Sequence, residues 1–344
     1  MNWNGLAGKA LEGVALTRDE ARQVLEASAL ETPALVAAAW TVRQHFFGKR
    51  VRLNYLFNAK SGLCPEDCHY CSQRKGSQAD VAQYPLKSVD EALAMAARAV
   101  EVHAGRFCMV ASGRGPSEGE LSHVVDCVKA VRERYPELEI CACLGLLSEN
   151  QAEQLKGAGV FAVNHNLNTS EKFYNTICST HTYADRVDTV EKIKKAGLSP
   201  CSGALVGMGE SADDILDLAY ALRDMHVESL PVNFLMPIEG TPLSDRYTLT
   251  PTRCLNILCL FRFLNPKASL RISGGREMHL RSLQALGLYV ANSIFIGDYL
   301  TTKGQAAEAD LMMIRDLGFE IEGDPLVQDT SAPVFPKVEM KWSV

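Results

Sequence analysis

From Val51 onward the chain alternates two hydrophobic patterns. Short runs rich in β-branched and aromatic residues are followed by longer stretches whose apolar residues recur every three or four positions, the spacing of one helix face. Eight runs read as strands, beginning near Val51, Arg106, Leu138, Val160, Ser199, Ser229, Ser269 and Ala291. The helix starts between them are marked chemically. Ser88-x-x-Glu91, Ser117-x-x-Glu120 and Ser148-x-x-Gln151 are capping boxes, and Thr250 before Pro251 is an N-cap with proline in the first turn. Gly157, Gly197 and Gly318 mark helix ends. Eight strand–helix units without a large insertion predict an α/β fold, a single closed (β/α)8 barrel of the TIM type, over residues 46–322. A helical extension over 1–45, with the capping box Thr17-x-x-Glu20, precedes it, and an irregular tail over 323–344 follows. Such barrels carry their chemistry at the C-terminal ends of the strands and in the loops beyond them.

Composition narrows the function classes. The 344 residues are 47% hydrophobic and 22% charged, which supports a large core and argues against disorder. Lys and Arg number 35 against 41 Asp and Glu, a net charge of -6 with no dense basic run; a small molecule is a better expectation than nucleic acid. The most apolar stretch of the last third, Ile257 to Leu264, is broken by Arg262 and is far shorter than the ~18 residues of a membrane span. The first residues lack a charged-then-apolar leader, so a cytoplasmic chain without a membrane partner is expected. Eleven cysteines, an odd number, do not suit a secreted disulfide framework. In a reducing compartment they are buried apolar groups or metal ligands.

Three of them, Cys64, Cys68 and Cys71, fall in CPEDCHYCSQ, residues 64–73, in the loop after the first strand. That loop is polar, whereas structural cysteines belong in apolar runs. Soft thiolates select zinc, copper(I) or iron–sulfur clusters. A zinc site completed by His69 or by a distant residue is one reading, although His69, adjacent to Cys68, is poorly aimed to share its metal. A cubane cluster has four irons, and three thiolates leave one of them open to a further ligand.

The pattern C-x3-C-x-aromatic-C, here Cys64, Cys68, Tyr70 and Cys71, resembles the cluster loop of the radical S-adenosylmethionine enzymes. The resemblance implies a 4Fe-4S cluster on the three cysteines, with S-adenosyl-L-methionine chelated to the fourth iron. It also implies a 5′-deoxyadenosyl radical that takes hydrogen from unactivated carbon, with Tyr70 bordering the adenine.

Six longer blocks, NYLFNAKSGLCPEDCHYCSQ, RFCMVASGRGP, VNHNLNTS, GALVGMGES, PVNFLMPIEGTPL and LRISGGRE, resemble in order the branch of that family that inserts sulfur into dethiobiotin. They span roughly residues 50 to 300. This resemblance implies a second, 2Fe-2S cluster that supplies the sulfur, held by Cys108, Cys141, Cys201 and Arg271. In the predicted barrel these lie in strands two, three, five and seven and can face one interior. Cys143 shares the strand parity of Cys141, about 7 Å along, and is its alternative. A guanidinium has no lone pair to offer, so the Arg271 ligand rests on the resemblance alone.

Asn166 and Asn168 share a strand face at the end of strand four. The resemblance sets both against S-adenosylmethionine, and Asn166 also against the dethiobiotin ring; Asn168 stands where the family often has aspartate. Asn233 is implied as a ligand of the ureido ring, Arg186 as a contact of S-adenosylmethionine, and Gly207 as part of a glycine-rich wall against the adenine. Radical abstraction needs no acid or base, so His69, His165 and His279 read as structural. The implied partners are dethiobiotin, an external flavodoxin- or ferredoxin-type reductant, iron–sulfur assembly proteins and a second copy in a homodimer. A different radical enzyme on the same barrel, serving hydrogenase maturation or methylornithine formation, and a metal carrier without catalysis are the alternatives.

Overall fold

The computed structural model describes residues 1–323. Its strands are β1 Arg50–Lys60, β2 Arg106–Ala111, β3 Glu139–Cys143, β4 Ala162–Asn164, β5 Ser199–Cys201, β6 Ala204–Val206, β7 Ser229–Phe234, β8 Ser269–Ile272, β9 Ser293–Ile296 and β10 Glu320–Ile321. Each pairs in parallel with its neighbour, and β9 returns to β1, with Arg52 opposite Ser293 and Tyr55 opposite Ile296. The sheet therefore closes, and the (β/α)8 barrel read from the sequence is the fold observed.

The fifth barrel position is split. β5 pairs with β7 at Cys201 and Ser229, and β6 resumes that pairing from Ala204 opposite Val232. Between the pieces lies Gly203, where a Cβ would come within 1.9 Å of the Pro231 carbonyl oxygen. Only glycine permits that approach. β10 adds a short outer pairing to the start of β1.

The capping boxes at Thr17, Ser88, Ser117 and Ser148 form as predicted, and Thr250 caps the helix begun by Pro251. Two more, Thr182 with Asp185 and Ser211 with Asp214, use aspartate where the motif usually has Glu or Gln. The helix expected to end at Gly157 runs on to Ala158 and stops at Gly159, which is left-handed at φ 97°.

Helices Trp3–Leu11, Arg18–Leu25 and Thr32–Phe47 pack over the barrel helix Pro251–Leu264, whose residues from Cys254 onward are all buried. Arg262, which breaks the apolar run in sequence, is buried there as a clamp. It donates to the carbonyl oxygens of Val290, Pro266 and Ala268 and to Asn292 Oδ1. Among the described residues no helix is long and apolar enough to cross a membrane. Apart from Gly323, the predicted tail lies outside the described residues.

The strand beginnings form a charged floor. Glu139 accepts from Arg52 Nη1 at 2.8 Å and from Arg106 Nε and Nη2 at 3.0 and 2.8 Å. The Arg106 guanidinium also lies over the Phe161 ring at 5.3 Å.

Candidate active site

At the other end of the barrel a cavity of about 400 Å³ opens between the strand ends and the loops beyond them. The loop after β1 turns sharply into it, because Gly62 and Leu63 are both left-handed, at φ 69° and 53°. Cys64, Cys68 and Cys71 then all line the cavity wall. Asp67 anchors the loop by accepting from the Ser179 and Thr180 nitrogens at 2.9 and 3.2 Å. Burial pushes the Asp67 carboxyl up, but the bonds from Ser179, Cys178 and Thr180 outweigh it and hold the group ionised.

The three thiols are held protonated. Burial raises Cys64, and raises Cys71 to about 11. Cys68 is raised by hydrogen bonding to Cys178, whose sulfur is 3.8 Å away, and by burial. Cys178 is pulled the other way, to about 4, by the bond from Cys68, against burial and with help from His181 and Thr180. Such thiols become good ligands when a metal replaces their protons.

Deeper in the same cavity Cys108, Cys141 and Arg271 of the second set line the wall, whereas Cys201 is buried beside Asn164 and does not line it. Cys108 on β2 lies directly opposite Cys141 on β3, and the two pack with Ala162, Leu56 and Phe295. Cys201 on β5 sits opposite Asn164 of β4, whose Nδ2 is 3.3 Å from its sulfur. The bond from Cys141 lowers Cys108 against burial, aided by Arg271 and Arg106, while that same bond and burial raise Cys141. Cys201 is raised by its bond with Cys141 and by burial. Three coupled thiols, one of them lowered beside two guanidiniums, make a pocket suited to an anion.

Arg271 completes it from β8. Its guanidinium lies over the Phe295 ring at 4.8 Å and donates from Nη2 to Ser229 Oγ at 3.0 Å. Among the described residues its Nε is buried without a hydrogen-bond partner, and the side chain makes no ion pair. A buried cation left so incomplete suits an anionic group that the polypeptide itself does not supply. Cys143 also lines the cavity, two residues above Cys141 on β3 and opposite Val110.

The polar wall lies between the two thiol sets. β4 ends at Asn164, so Asn166 and Asn168 reach the cavity from the loop and not by strand parity; Asn168 does so in a left-handed backbone at φ 69°. Asn168 Nδ2 donates to the Tyr70 hydroxyl at 2.7 Å, and Asn166 Oδ1 accepts from Asn164 at 2.9 Å. Buried Arg186 donates to the Asn166 carbonyl at 2.8 Å, the Tyr174 hydroxyl, His181 Nε2 at 2.9 Å and Tyr70 at 3.4 Å. Asn233 lines the cavity with its amide bridging Ala204 and Gly274 of the neighbouring backbone, at 3.1 Å each.

Gly207 does not line the cavity. Its nitrogen donates to Glu210 Oε1 at 2.7 Å, and the left-handed turn at φ 101° leaves Leu205, two residues earlier, in the wall. His279 bonds the Leu235 carbonyl at 2.7 Å, and His165 is buried on the cavity wall, where burial keeps its ring neutral. Sequence reasoning passed over Asn164, Tyr174, Cys178 and His181. Tyr174 closes a four-residue helix and Cys178 and His181 lie in the loop after it, too short a stretch for a periodicity to read, whereas Asn164 was legible as the same-face neighbour of Asn166.

Residues 60–221 match the Radical SAM superfamily, and residues 231–320 match the Biotin and Thiamin Synthesis associated domain. The second match carries Asn233 and Arg271, the first all six cysteines of the two sets. A biotin synthase of Streptomyces coelicolor is 56% identical over 320 residues, covering 93% of this chain and 79% of that one. One of Bacillus cytotoxicus is 51% identical over 322 residues, covering 94% and 97%. The chain belongs to the biotin synthase family. Its barrel is shared more widely: methylornithine synthase superposes with a TM-score of 0.78 at 20% identity, covering 92% of this chain and 97% of that one. The FeFe-hydrogenase maturase of Carboxydothermus hydrogenoformans gives 0.77 at 19%, covering 93% and 79%. At those identities the likeness is one of fold, so what separates this chain from the two rival enzyme types is its kinship with biotin synthases.

Proposed function

We propose that this chain makes biotin by inserting sulfur into dethiobiotin, with the two thiol sets of the cavity as two cluster sites. The observation that carries the reading is their arrangement: three cysteines on the mouth loop, and below them Cys108, Cys141 and an incompletely bonded arginine on the wall of the same chamber, with Cys201 buried beside them and off the lining.

The donor sets fit the groups implied. Cys64, Cys68 and Cys71 face the cavity, whereas Cys178 stands behind Cys68 and off the lining, so the open iron position is left for the methionine group of S-adenosylmethionine. Cys108, Cys141, Cys201 and Arg271 suit a small anionic cluster of iron and sulfide. When bound, the first cluster with S-adenosylmethionine supplies a radical that takes hydrogen from saturated carbon, and the second supplies the sulfur.

The remaining work belongs to the chain. Tyr70 and Asn168 border the nucleoside, and Arg186, without a carboxylate partner among its contacts, presents a cation to the methionine carboxylate. Asn166 and Asn233 offer the paired donors and acceptors that a ureido ring requires. Leu56, Val110, Leu205, Phe234 and Phe295 keep water from the reacting carbons, which matters because a carbon radical abstracts hydrogen from whatever reaches it. The Gly207 turn supports the adenine wall from behind.

In this reading residues 46–322 are the catalytic barrel and 1–45 a helical buttress, the chain works as a homodimer in the reducing cytoplasm, a flavodoxin- or ferredoxin-type protein donates the electrons, and assembly proteins load the clusters. The test is anaerobic incubation of the cluster-loaded protein with dethiobiotin, S-adenosylmethionine and a reductant, followed by mass spectrometry. Biotin and 5′-deoxyadenosine are expected together. Deoxyadenosine without biotin would keep the radical chemistry and reject the substrate, and neither product would reject both.

A further inference from the structure

Cys178 belongs to neither thiol set, yet its sulfur lies 3.8 Å from that of Cys68. Both side chains are buried, at 2% and 8% exposure, and they pack together with Tyr174, Ile177 and Met208. Their setting is fixed on every side. Asp67 Oδ1 lies 3.3 Å from the Cys178 sulfur and is held by two backbone nitrogens; His181 Nδ1 lies 3.3 Å from it and also contacts Glu66, a further residue of the mouth loop. Cys68 faces the cavity and Cys178 stands directly behind it. An oxidant entering the chamber meets Cys68 first.

The structure assigns Cys68 and Cys178 as a reversible disulfide pair that guards the first cluster site while it holds no iron. This inference rests on the proposal that Cys68 is a cluster ligand. With the cluster in place the Cys68 sulfur is occupied by iron. Once the cluster is lost, the proton that Cys68 shares with Cys178 passes to Cys178, and the Cys68 thiolate takes one oxygen from hydrogen peroxide to give a sulfenic acid and, with a solvent proton, water. The Cys178 thiol then displaces the hydroxyl as a second water and forms the S–S bond. Two thiols lose two electrons and two protons, and one peroxide becomes two waters. The sulfurs need to close from 3.8 Å to about 2 Å for the bond to form. Without a resolving thiol, a sulfenic acid is open to further oxidation to sulfinic acid, which thiol reductants do not reverse. The pair thus keeps a ligand recoverable at the cost of a reduction step before reloading.

The experiment uses the full chain stripped of iron under reducing conditions, freed of reductant and then exposed to a severalfold molar excess of hydrogen peroxide. Peptide mapping should find Cys68 joined to Cys178, and dithiothreitol should restore iron and sulfide binding at the first site. In Cys178→Ser, and in Cys178→Ala as a second variant, Cys68 should accumulate as sulfinic acid and dithiothreitol should fail to restore loading. Cys68 linked instead to Cys64 or Cys71, or unlinked in the wild type, overturns the proposal even if neither variant folds. Equal recovery in wild type and variants overturns it as well. Iron content of unoxidised Cys68→Ala reads the ligand assignment separately: full loading there would sink the cluster reading while leaving the disulfide map to stand or fall by itself.

Discussion

Replacing Asn168 by aspartate turns a neutral contact into a charged one without altering the backbone. At φ 69° the position is left-handed, a region that Asn and Asp tolerate better than other side chains with a Cβ. In the wild type the amide donates to the Tyr70 oxygen at 2.7 Å and Arg186 approaches the same oxygen at 3.4 Å, so the tyrosine proton is free to point at the nucleoside. A carboxylate at 168 cannot donate, and Tyr70 must turn its proton toward it. The new charge is buried, but it arrives beside Arg186, whose hydrogen-bond partners among the described residues are a carbonyl, a histidine and two tyrosines and include no carboxylate. A hydrogen bond to a charged group contributes about 1 kcal/mol more than a neutral one, and a ribose hydroxyl would gain that difference. The expected result is S-adenosylmethionine binding tightened about fivefold, read by anaerobic equilibrium dialysis on the cluster-loaded protein. Asn168→Ala loses the bond to Tyr70 and adds about 1–2 kcal/mol of backbone strain, so it should weaken binding. A loss of more than about tenfold in Asn168→Asp, or no change in Asn168→Ala, would refute the ribose assignment.

Three further outcomes follow from the same geometry. Cys68→Ala should abolish reductive cleavage of S-adenosylmethionine, checked by deoxyadenosine release; retained release sinks the first-set assignment. Cys201→Ala and Cys141→Ala should each lose the 2Fe-2S absorption and biotin formation while keeping the first cluster, whereas Cys143→Ala should keep both; loss in Cys143→Ala with retention in Cys141→Ala would transfer that ligand to the upper thiol. Because burial raises Cys64 and Cys71, the latter to about 11, and Cys68 is raised by its bond with Cys178 and by burial, iron must displace their protons. Apparent affinity of the stripped protein for iron should therefore rise by about tenfold or more per pH unit through neutrality, measured against a competing chelator; a flat profile contradicts protonated thiols.

The barrel was legible because its helices announce their first turns and its strands are short apolar runs, both local signals. The interruption at Gly203 was not, since it depends on the Pro231 carbonyl of another strand. Aspartate-based caps at Thr182 and Ser211 escaped a search for Glu or Gln. Cys108 and Cys141 could be brought together by counting strands, and their register pairs them directly. Asn168 was placed rightly on the cavity for an inexact reason: parity along a strand that has already ended, replaced in the structure by one left-handed residue. Cys178 and His181 had no readable signal, because only the folded loop brings them behind Cys68.

The floor of Arg52, Glu139 and Arg106 makes the barrel a one-ended vessel. Traffic to the lower thiols has to pass the mouth loop, so in the proposed reading depth would impose an order of filling: iron and sulfide for the lower site would go in before S-adenosylmethionine and dethiobiotin block the way. A protein that consumed its lower cluster would have to release its product and its nucleoside before it could be restocked. Turnover and repair would then share a single doorway and could not run at the same time.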